Sequence, residues 1–314
     1  MLSRVTYTVV ILVYYDRIQY FTVPAGDQST KKKPTMADGN TFVAVLKKEI
    51  ESEQFTLPIF DSVSLRIQLE LIKKNPDFHA VEKLIIADQS LSSNLLKIAN
   101  SARYRGLVQT STVKAAITRL GMTEIARIIS MDISKKIFNS RDLQINAIMK
   151  KLWQHSMGCA FAAGMLSHRL DFGVMQNEAF FAGLFHDIGK LLILKVIAQK
   201  KQKDTSITIP DHLLLSAMAI LHAEQGYLLM HQINMPQMFA VITRDHHLQD
   251  YDRTNYLLIL VKMANHICHH MGIGLTQDAA IELLKTEEAV LLNLSQTDLE
   301  EVGTFLHSTS GLTG

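Results

Sequence analysis

The chain has 314 residues, a net charge of +2, and 47% hydrophobic residues. This balance provides no overall basic field for nucleic acid, and the apolar content is enough for a sizeable core. Only two cysteines occur, Cys159 and Cys268, without the spacing of a metal-binding pair. We therefore expect a reducing, cytoplasmic setting in which both thiols are buried as small hydrophobic groups.

The N-terminal segment 5–15 is apolar and rich in β-branched residues. It is too short to span a membrane as a helix, and its composition predicts a strand. Residues 24–40 are polar and typical of a linker. We expect residues 1–40 to be an extension or linker outside the core. Residues 1–35 are an upstream extension of the reading frame or a poorly ordered tail; the alternative is a short strand that packs on the body.

From about residue 40 onward the hydrophobic periodicity is helical. In the first half, breaks are expected at Leu57-Pro58, Asn75-Pro76-Asp77 and Gly121. Ser90 or Ser92 is expected to cap the fourth helix. The predicted helices of this half are 42–51, 62–74, 80–88, a segment through 95–101, 112–120 and 123–138.

The second half continues with longer helices, and the pattern predicts an all-α protein of two bundles fused near residues 140–150. One of these helices is expected to be capped by Asn177 and to carry His186-Asp187. Pro236 suits the first position of another helix. The remaining predicted helices are 142–169, 211–230, a helix that ends at His246-His247, 256–271, and short helices around 279–292 and 295–306.

A group of histidines, with one aspartate, lies in or at the ends of these apolar helices. Eleven of the thirteen histidines fall between His155 and His270. Buried imidazole and carboxylate groups need partners, and helix bundles build metal sites from side chains that project inward from several helices. Imidazole with carboxylate suits Fe, Mn, Zn or Ni, whereas a structural zinc site would need thiolates. The group comprises His155, His186, Asp187, His222, His246 and His247.

The order of these residues over about 150–272 resembles the HD superfamily of metal-dependent phosphohydrolases. In that superfamily the ligands are a histidine, the His-Asp doublet and a later aspartate. The additional histidines are similar to those of HD-GYP enzymes, which bind further metal and hydrolyse cyclic di-GMP. The resemblance implies a divalent metal ion as cofactor, with Asp187 as a catalytic residue and Lys190 placed to hold a phosphate.

Three segments in the first half of the chain narrow the resemblance to one family of domains. Residues 86–91 (IADQSL), 95–104 (LLKIANSARY) and 113–121 (VKAAITRLG) look strongly like the HDOD domain, the HD-related output domain of bacterial signalling proteins. Together the match covers roughly 50–272. It implies an N-terminal helical bundle at 41–148, an HD-like helical domain at 149–272 and a C-terminal helical tail at 273–314.

Two departures from the enzyme pattern favour a non-catalytic role. Asn265 stands where the superfamily's last metal aspartate is expected, so this ligand position provides no negative charge. No Gly-Tyr-Pro motif follows the doublet, since Gly226-Tyr227 is followed by Leu228. HDOD domains as a group are generally regarded as lacking enzymatic activity.

Each candidate residue also has a structural alternative. His155, His186 and Asp187 are metal ligands, or a relic network with Asn265 that fixes helix packing. His222 is a ligand for metal or phosphate, or a helix-surface residue beside Glu224.

The alternatives for the remaining candidates rest on position in a helix. His246 and His247 are ligands, or cations favoured at a helix C-terminus. Lys190 holds a phosphate, or is a solvated or snorkelling lysine. The face formed by His266, His269 and His270 is expected to be solvated, and Asn100-Ser101 is expected to end a helix.

The sequence therefore predicts a regulatory output module that acts by binding a signalling protein partner or a small nucleotide. The alternative is a metal-dependent phosphohydrolase acting on a nucleotide or cyclic dinucleotide. The chain could form a homo-oligomer, and no membrane span is expected. A divalent metal is expected only under the hypothesis that the histidine group is a metal site. Nucleic-acid binding at a helix-turn-helix around Gly121 is the weakest hypothesis, because residues 111–131 contain only Lys114, Arg119 and Arg127 as basic groups.

Overall fold

A computed structural model describes residues 7–14, 17–24, 39–51, 62–73, 75–104, 106–170 and 176–309. Within these ranges the body of the protein is helical, so the predicted all-α class is confirmed. The predicted break at Leu57-Pro58 and most of the predicted linker at 24–40 lie outside the described residues. The helices are α1 (Gly39–Glu51), α2 (Ser62–Leu71), α3 (Phe78–Ala87), α4 (Gln89–Ala99), α5 (Val113–Leu120), α6 (Met122–Ile137), α7 (Leu143–Arg169), α8 (Gln176–Phe185), α9 (Ile188–Lys203), α10 (Asp211–Gln232), α11 (Gln237–Asp245), α12 (Tyr256–His270), α13 (Glu287–Leu291) and α14 (Gln296–Thr309).

The N-terminal segment forms a two-stranded antiparallel hairpin of β1 (Tyr7–Tyr14) and β2 (Arg17–Pro24). Tyr7 pairs with Pro24 and Tyr14 pairs with Arg17. The sequence predicted the first strand because of its β-branched run, but the second strand was missed. Its first four residues alternate between polar and apolar, which is the period-2 pattern of a strand, and Phe21 then interrupts the alternation.

Helices α2 to α6 pack on one another as the first bundle. Their ends follow local capping chemistry. Asp77 accepts hydrogen bonds from the amides of His79 and Ala80 at the start of α3. The predicted serine cap of α4 is wrong, because Asp88 caps the Leu91 amide and the Ser92 hydroxyl instead donates to the carbonyl of Ile85.

Asn100 ends α4 and fixes the turn that follows, as the sequence predicted. Its side-chain amide donates to the carbonyls of Leu96 and Thr110, and its side-chain oxygen accepts from the Thr110 amide. One side chain thereby adds a second hydrogen bond to the Leu96 carbonyl and satisfies both backbone groups of Thr110. This role is structural and uses both N–H donors of the side chain.

The second bundle is built around α7, which packs against α8 and α12, while α10 packs against α9 and α11. Helix α1 lies on α9 and α10, and α14 lies on α7. The long helix α7 begins after Asp142, whose carboxylate accepts from the Ile145 amide. Its interior half is buried on nearly all sides. A helix that is apolar all round belongs in a core, so α7 forms the centre of this bundle.

The His186-Asp187 doublet does not lie inside a helix, contrary to the expectation from its apolar surroundings. Helix α8 ends at Phe185 and α9 begins at Ile188, so the doublet occupies the turn between them. Consecutive side chains on an α-helix point about 100° apart. In the turn, the two side chains are not held at this helical angle to each other. Both are buried at the centre of the bundle.

Two glycines allow this turn to sit deep in the bundle. A Cβ on Gly183 would lie 2.6 Å from the carbonyl oxygen of Cys159 on α7. A Cβ on Gly189 would lie 1.9 Å from the carbonyl oxygen of His222 on α10. The backbone therefore approaches α7 just before the doublet and α10 just after it, which fixes its position from both sides.

Among the described residues, α10 is the one helix that is long and apolar enough to cross a membrane. Slightly more than half of its apolar window is buried inside the protein. A buried core helix has the same length and composition, so this finding is weak support for a span.

Candidate metal centre

Asp187 lies at the point where four histidines from α7, the α8–α9 turn, α10 and the end of α11 converge. Its Oδ2 is 3.6 Å from His155 Nε2 and 3.5 Å from His186 Nε2. Its Oδ1 is 3.5 Å from both His222 Nε2 and His246 Nε2. All five side chains belong to residues that are at most 3% exposed. The carboxylate thus has one pair of imidazoles on each oxygen.

The tautomers of these four rings follow from their outer nitrogens. Each Nδ1 lies close to a backbone carbonyl: that of Ile273 for His155 (3.1 Å), Gly183 for His186 (2.8 Å), Met218 for His222 (2.7 Å) and Thr243 for His246 (2.9 Å). A carbonyl can only accept, so each Nδ1 carries the proton and donates. A neutral ring then leaves a lone pair on Nε2, and four lone pairs face one carboxylate. This is the arrangement by which proteins orient metal-binding histidines.

The spacing of these atoms fits ligands around an ion better than partners in hydrogen bonds. Distances near 3.5 Å are too long for a strong hydrogen bond. Ligands at about 2.1 Å from a tetrahedral metal ion lie about 3.4 Å from one another. His222 Nε2 and His246 Nε2 are 3.4 Å apart, and neither has a proton to donate to the other when both Nδ1 atoms are protonated.

Two buried atoms at this centre have no hydrogen-bond partner among the described residues. They are His186 Nε2 and Asp187 Oδ1. An unsatisfied buried polar atom costs roughly 1–3 kcal/mol, so a native structure rarely keeps one without a reason. The donor set of imidazole nitrogens and one carboxylate suits a divalent transition metal ion. The residues present therefore fit a metal, which Asp187 would hold either with His222 and His246 or with His155 and His186, two sets whose ligand atoms lie within 4.8 Å of one another.

Lys190 is also part of this centre. Its Nζ donates to Asp187 Oδ2 at 2.7 Å, and its side chain is mostly buried. The alternative of a solvated lysine is therefore wrong. The ammonium group neutralises the carboxylate from the α9 side, whereas Oδ1 stays open toward His222 and His246.

Burial and charge set the protonation of the centre. Burial lowers the pKa of His155, His222 and His246 to about 3, and it also lowers the pKa of His186. Burial alone would raise the pKa of Asp187, but the Lys190 ammonium and the surrounding histidines hold it well below its usual range. At neutral pH the centre therefore contains neutral imidazoles and an ionised carboxylate, which are the forms that bind metal.

We expect the metal-free protein to lose stability as the pH falls from 7 to 4. The unfolded chain takes up protons on these histidines below about pH 6.5, whereas the folded chain holds His155, His222 and His246 neutral down to about pH 3. The unfolded state then binds more protons, so acid favours it, by up to about 1.4 kcal/mol per pH unit for each histidine. Urea unfolding at pH 7, 6 and 5 with a chelator measures this slope. A midpoint that does not change with pH would contradict it, and His246→Gln should reduce the slope.

A buried polar network holds the turn that contains His246. Lys262 Nζ on α12 donates to the carbonyls of His246 (3.3 Å) and Leu248 (3.0 Å). Glu288 Oε1 on α13 lies 3.5 Å from Lys262 Nζ and accepts from the Tyr251 hydroxyl. Lys262 and α13 thus hold the backbone of the turn that contains His246, one of the proposed ligands.

The structure brings the other predicted residues to different distances from the centre. His222 is buried, so the alternative of a helix-surface position is wrong. His247 is exposed at the rim, with its ring centroid 4.1 Å from that of His246 and 5.0 Å from that of His222, and one of its ring nitrogens lies within 4.8 Å of ligand atoms of Asp187, His222 and His246. Asn265 is buried on α12 between Lys262 and His269, on the helix face directed toward the centre. The prediction that His269 lies on a solvated face is wrong. This residue is buried, and its ring centroid is 5.0 Å from that of His155.

Sequence reasoning missed the position of the two cysteines. Both are free and buried, as expected. However, Cys159 lies one helical turn after His155, and its Sγ is 3.6 Å from His155 Nε2. The sequence does contain this signal, because residues four apart on one helix share a face, and His155 and Cys159 have that spacing. The sequence prediction used only the spacing between the two cysteines.

Comparison with known proteins agrees with this architecture. The family model of the HDOD domain matches residues 57–249, which is more than half of the chain. A solved HDOD domain protein of unknown function from Geobacter sulfurreducens superposes with a TM-score of 0.63. The two chains share 20% identity, and the match covers 88% of this chain and 97% of that one. At this identity the likeness establishes the fold alone.

Two curated relatives also match. An uncharacterized protein of Treponema pallidum (strain Nichols) is 26% identical over 198 residues, which cover 61% of this chain and 37% of the relative. Cyclic di-GMP phosphodiesterase CdgJ of Vibrio cholerae serotype O1 is 23% identical over 146 residues, which cover 46% of this chain and 32% of that protein. The match therefore spans only about a third of the length of either relative.

Proposed function

Because this chain belongs to the HDOD domain family of signalling-related proteins, we propose that it is a non-catalytic output module whose second bundle binds a divalent metal ion at Asp187. The module acts in the bacterial cytoplasm through a signalling protein partner or a small nucleotide ligand. The metal, Fe, Mn, Zn or Ni, ties the α8–α9 turn to α7, α10 and α11. Such an ion supplies Lewis acidity where it has an open position, but here its main contribution is to link helices.

The burial of the proposed ligands is the observation that supports a non-catalytic role. A catalytic metal site keeps a position open for water or substrate. Here the five proposed ligands are at most 3% exposed, and Lys190 covers one oxygen of Asp187. A phosphodiester would have to displace these side chains before it reached the centre.

Charge supports the same conclusion. Asp187 is the one acidic side chain among the proposed ligands, and Asn265 adds none. A metal pair such as those of two-metal phosphohydrolases would bring four positive charges to a site with one carboxylate and a lysine. Burying that excess positive charge is costly, so a single ion fits this centre better.

Metal content distinguishes a true site from a relic network. We expect near-stoichiometric Fe, Mn, Zn or Ni in the purified wild type and loss of the metal at the Asp187 centre in His186→Ala, because this substitution removes His186 Nε2, a ligand atom that has no hydrogen-bond partner. His212→Ala is the matched control, since His212 is exposed at the start of α10. Elemental analysis of the three proteins, all checked for folding by circular dichroism, gives the answer. A folded wild type without metal would sink the metal part of the proposal.

The second candidate is a metal-dependent phosphohydrolase acting on a nucleotide or cyclic dinucleotide. The complete convergence of four Nε2 atoms on Asp187 favours it, as does the similarity to CdgJ. His247 at the rim and the partly exposed Lys190 would then receive the phosphate. Hydrolysis of cyclic di-GMP or bis(p-nitrophenyl) phosphate that disappears in His186→Ala would establish this activity in place of the non-catalytic role.

A further inference from the structure

We propose that His155, Cys159 and Cys268 form a second metal site, for zinc(II), between α7 and the last turn of α12. The three ligand atoms, one imidazole nitrogen and two sulfurs, lie within 4.8 Å of one another. All three residues are buried. The site shares the His155 nitrogen with the Asp187 centre and differs from it in its two sulfur donors, and it does not depend on the function proposed above.

The positions of these atoms come from two helices. His155 and Cys159 occupy neighbouring turns of one face of α7, and Cys268 comes from the last turn of α12. Cys159 Sγ is 3.6 Å from His155 Nε2. Ligands at about 2.3 Å (sulfur) and about 2.0 Å (nitrogen) from a tetrahedral zinc lie about 3.5 Å apart. The observed separation therefore matches that of two zinc ligands.

The backbone around the site is shaped to admit the second sulfur. A Cβ on Gly158 would lie 2.9 Å from Cys268 Sγ, so a glycine here leaves the space that this thiol occupies. The loop after α12 approaches through Gly274, at φ +125°, where a Cβ would lie 2.8 Å from His155 Cβ. The carbonyl of Ile273 in the same loop accepts from His155 Nδ1, which leaves the Nε2 lone pair for a metal.

Charge balance favours zinc at this position. Binding would proceed with loss of one proton from each thiol, so that one Zn²⁺, two thiolates and one neutral imidazole form a complex with no net charge. A neutral complex has little cost of burial, whereas a dication held by histidines alone keeps its full charge. The alternative without metal is that the Cys159 thiol donates a hydrogen bond to His155 Nε2 while Cys268 packs as a small hydrophobic group. That alternative does not require Cys268 to lie within 4.8 Å of the other two ligand atoms.

His155 is shared between the two sites. Its Nε2 is 3.6 Å from Cys159 Sγ and 3.6 Å from Asp187 Oδ2. One lone pair binds one metal ion at a time. Zinc on the sulfur side therefore takes His155 away from Asp187 and leaves that centre with His186, His222 and His246.

Cobalt(II) is the probe that tells the two sites apart. We expect metal-free protein loaded with one equivalent of cobalt(II) to show a sulfur-to-metal charge-transfer band, which zinc(II) then removes by displacement. Cys268→Ala and Cys268→Ser should both lose the band and bind zinc about 100-fold more weakly or worse, since loss of an outer partner alone costs roughly 10- to 100-fold. Asp187→Asn should keep the band.

The same variants separate failure of this proposal from failure of the metal centre at Asp187. Cobalt bound by folded Asp187→Asn without a charge-transfer band, or a band that persists in both folded Cys268 variants, would overturn the thiolate site. Metal that is lost from Asp187→Asn and kept in Cys268→Ala would place the ion at Asp187 alone. The serine variant preserves the size of the side chain, so the comparison remains possible if the alanine variant does not fold.

Discussion

Gly189→Ala is expected to destabilise the fold by more than about 3 kcal/mol or to prevent folding. A Cβ at this position would lie 1.9 Å from the carbonyl oxygen of His222 and 2.8 Å from the amide nitrogen of Gly226. Both are backbone atoms of α10, so no side-chain rotation relieves the overlap, and α9 must move away from α10. Such overpacking already costs roughly 1–3 kcal/mol where side chains can yield. Urea unfolding followed by circular dichroism measures the change.

Gly303→Ala is the matched control for this substitution. Gly303 lies within α14, and a Cβ there would meet no atom within 4 Å. Alanine is favoured over glycine in a helix by roughly 0.5–1 kcal/mol, so this variant should be as stable as the wild type or slightly more stable. Equal stability of the two variants would show that α9 and α10 do not approach as closely as described.

If Gly189→Ala folds, its effect should reach the metal centre. Gly189 follows Asp187 by two residues, and its close partner is the carbonyl of His222, one of the proposed ligands. Separation of α9 from α10 therefore increases the distance from Asp187 to His222. We expect weaker metal binding in any folded fraction of this variant, whereas Gly303→Ala should bind as the wild type does.

Asp187→Asn should remove about 3 kcal/mol from the free energy of unfolding and abolish the stabilisation that comes from metal bound at the Asp187 centre. The carboxylate is the one negative charge that Lys190 and the four histidines share, and Lys190 Nζ lies 2.7 Å from it. Loss of one partner from a buried ion pair costs roughly 3–5 kcal/mol, and the partial exposure of Lys190 places this case at the low end. Thermal and urea unfolding, with and without added metal, measure both effects.

A double-mutant cycle with Lys190→Met tests the origin of this loss. Alone, each substitution leaves an unpaired charge, whereas together they leave none, so Asp187→Asn with Lys190→Met should be more stable than the sum of the single effects predicts. Metal should reduce the effect of Lys190→Met alone, because the ion then neutralises Asp187. Additive effects that metal leaves unchanged would contradict the shared charge network.

The sequence by itself determined the class of the fold and most of its elements. The 3.6-residue period of α5, α11 and α12 is a local property, because a helix that packs on a core with one face must be apolar on that face. Asp142 and Asn100 determine helix ends through their own nearest backbone groups. The choice of His186-Asp187 as the functional residues was equally local, since a charged group in an apolar segment needs a partner wherever it lies.

Only the tertiary structure decided which partners the doublet has. The apolar surroundings of His186 and Asp187 predicted a continuous helix, whereas the chain turns there because Gly183 and Gly189 let it approach α7 and α10. Those contacts join residues far apart in sequence, so no local pattern contains them. The same limit applies to His222, because α10 is apolar around much of its circumference and the period does not reveal which side faces the core.

The sequence thus determined which groups are available, and the packing of the helices decided which atoms meet. Lys190 Nζ reaches Asp187 because α9 starts immediately after the doublet, and Cys268 reaches His155 because α12 crosses α7 at Gly158. A side chain's chemistry belongs to its residue, but the distance between two side chains depends on the crossing of their helices, to which every residue of the interface contributes.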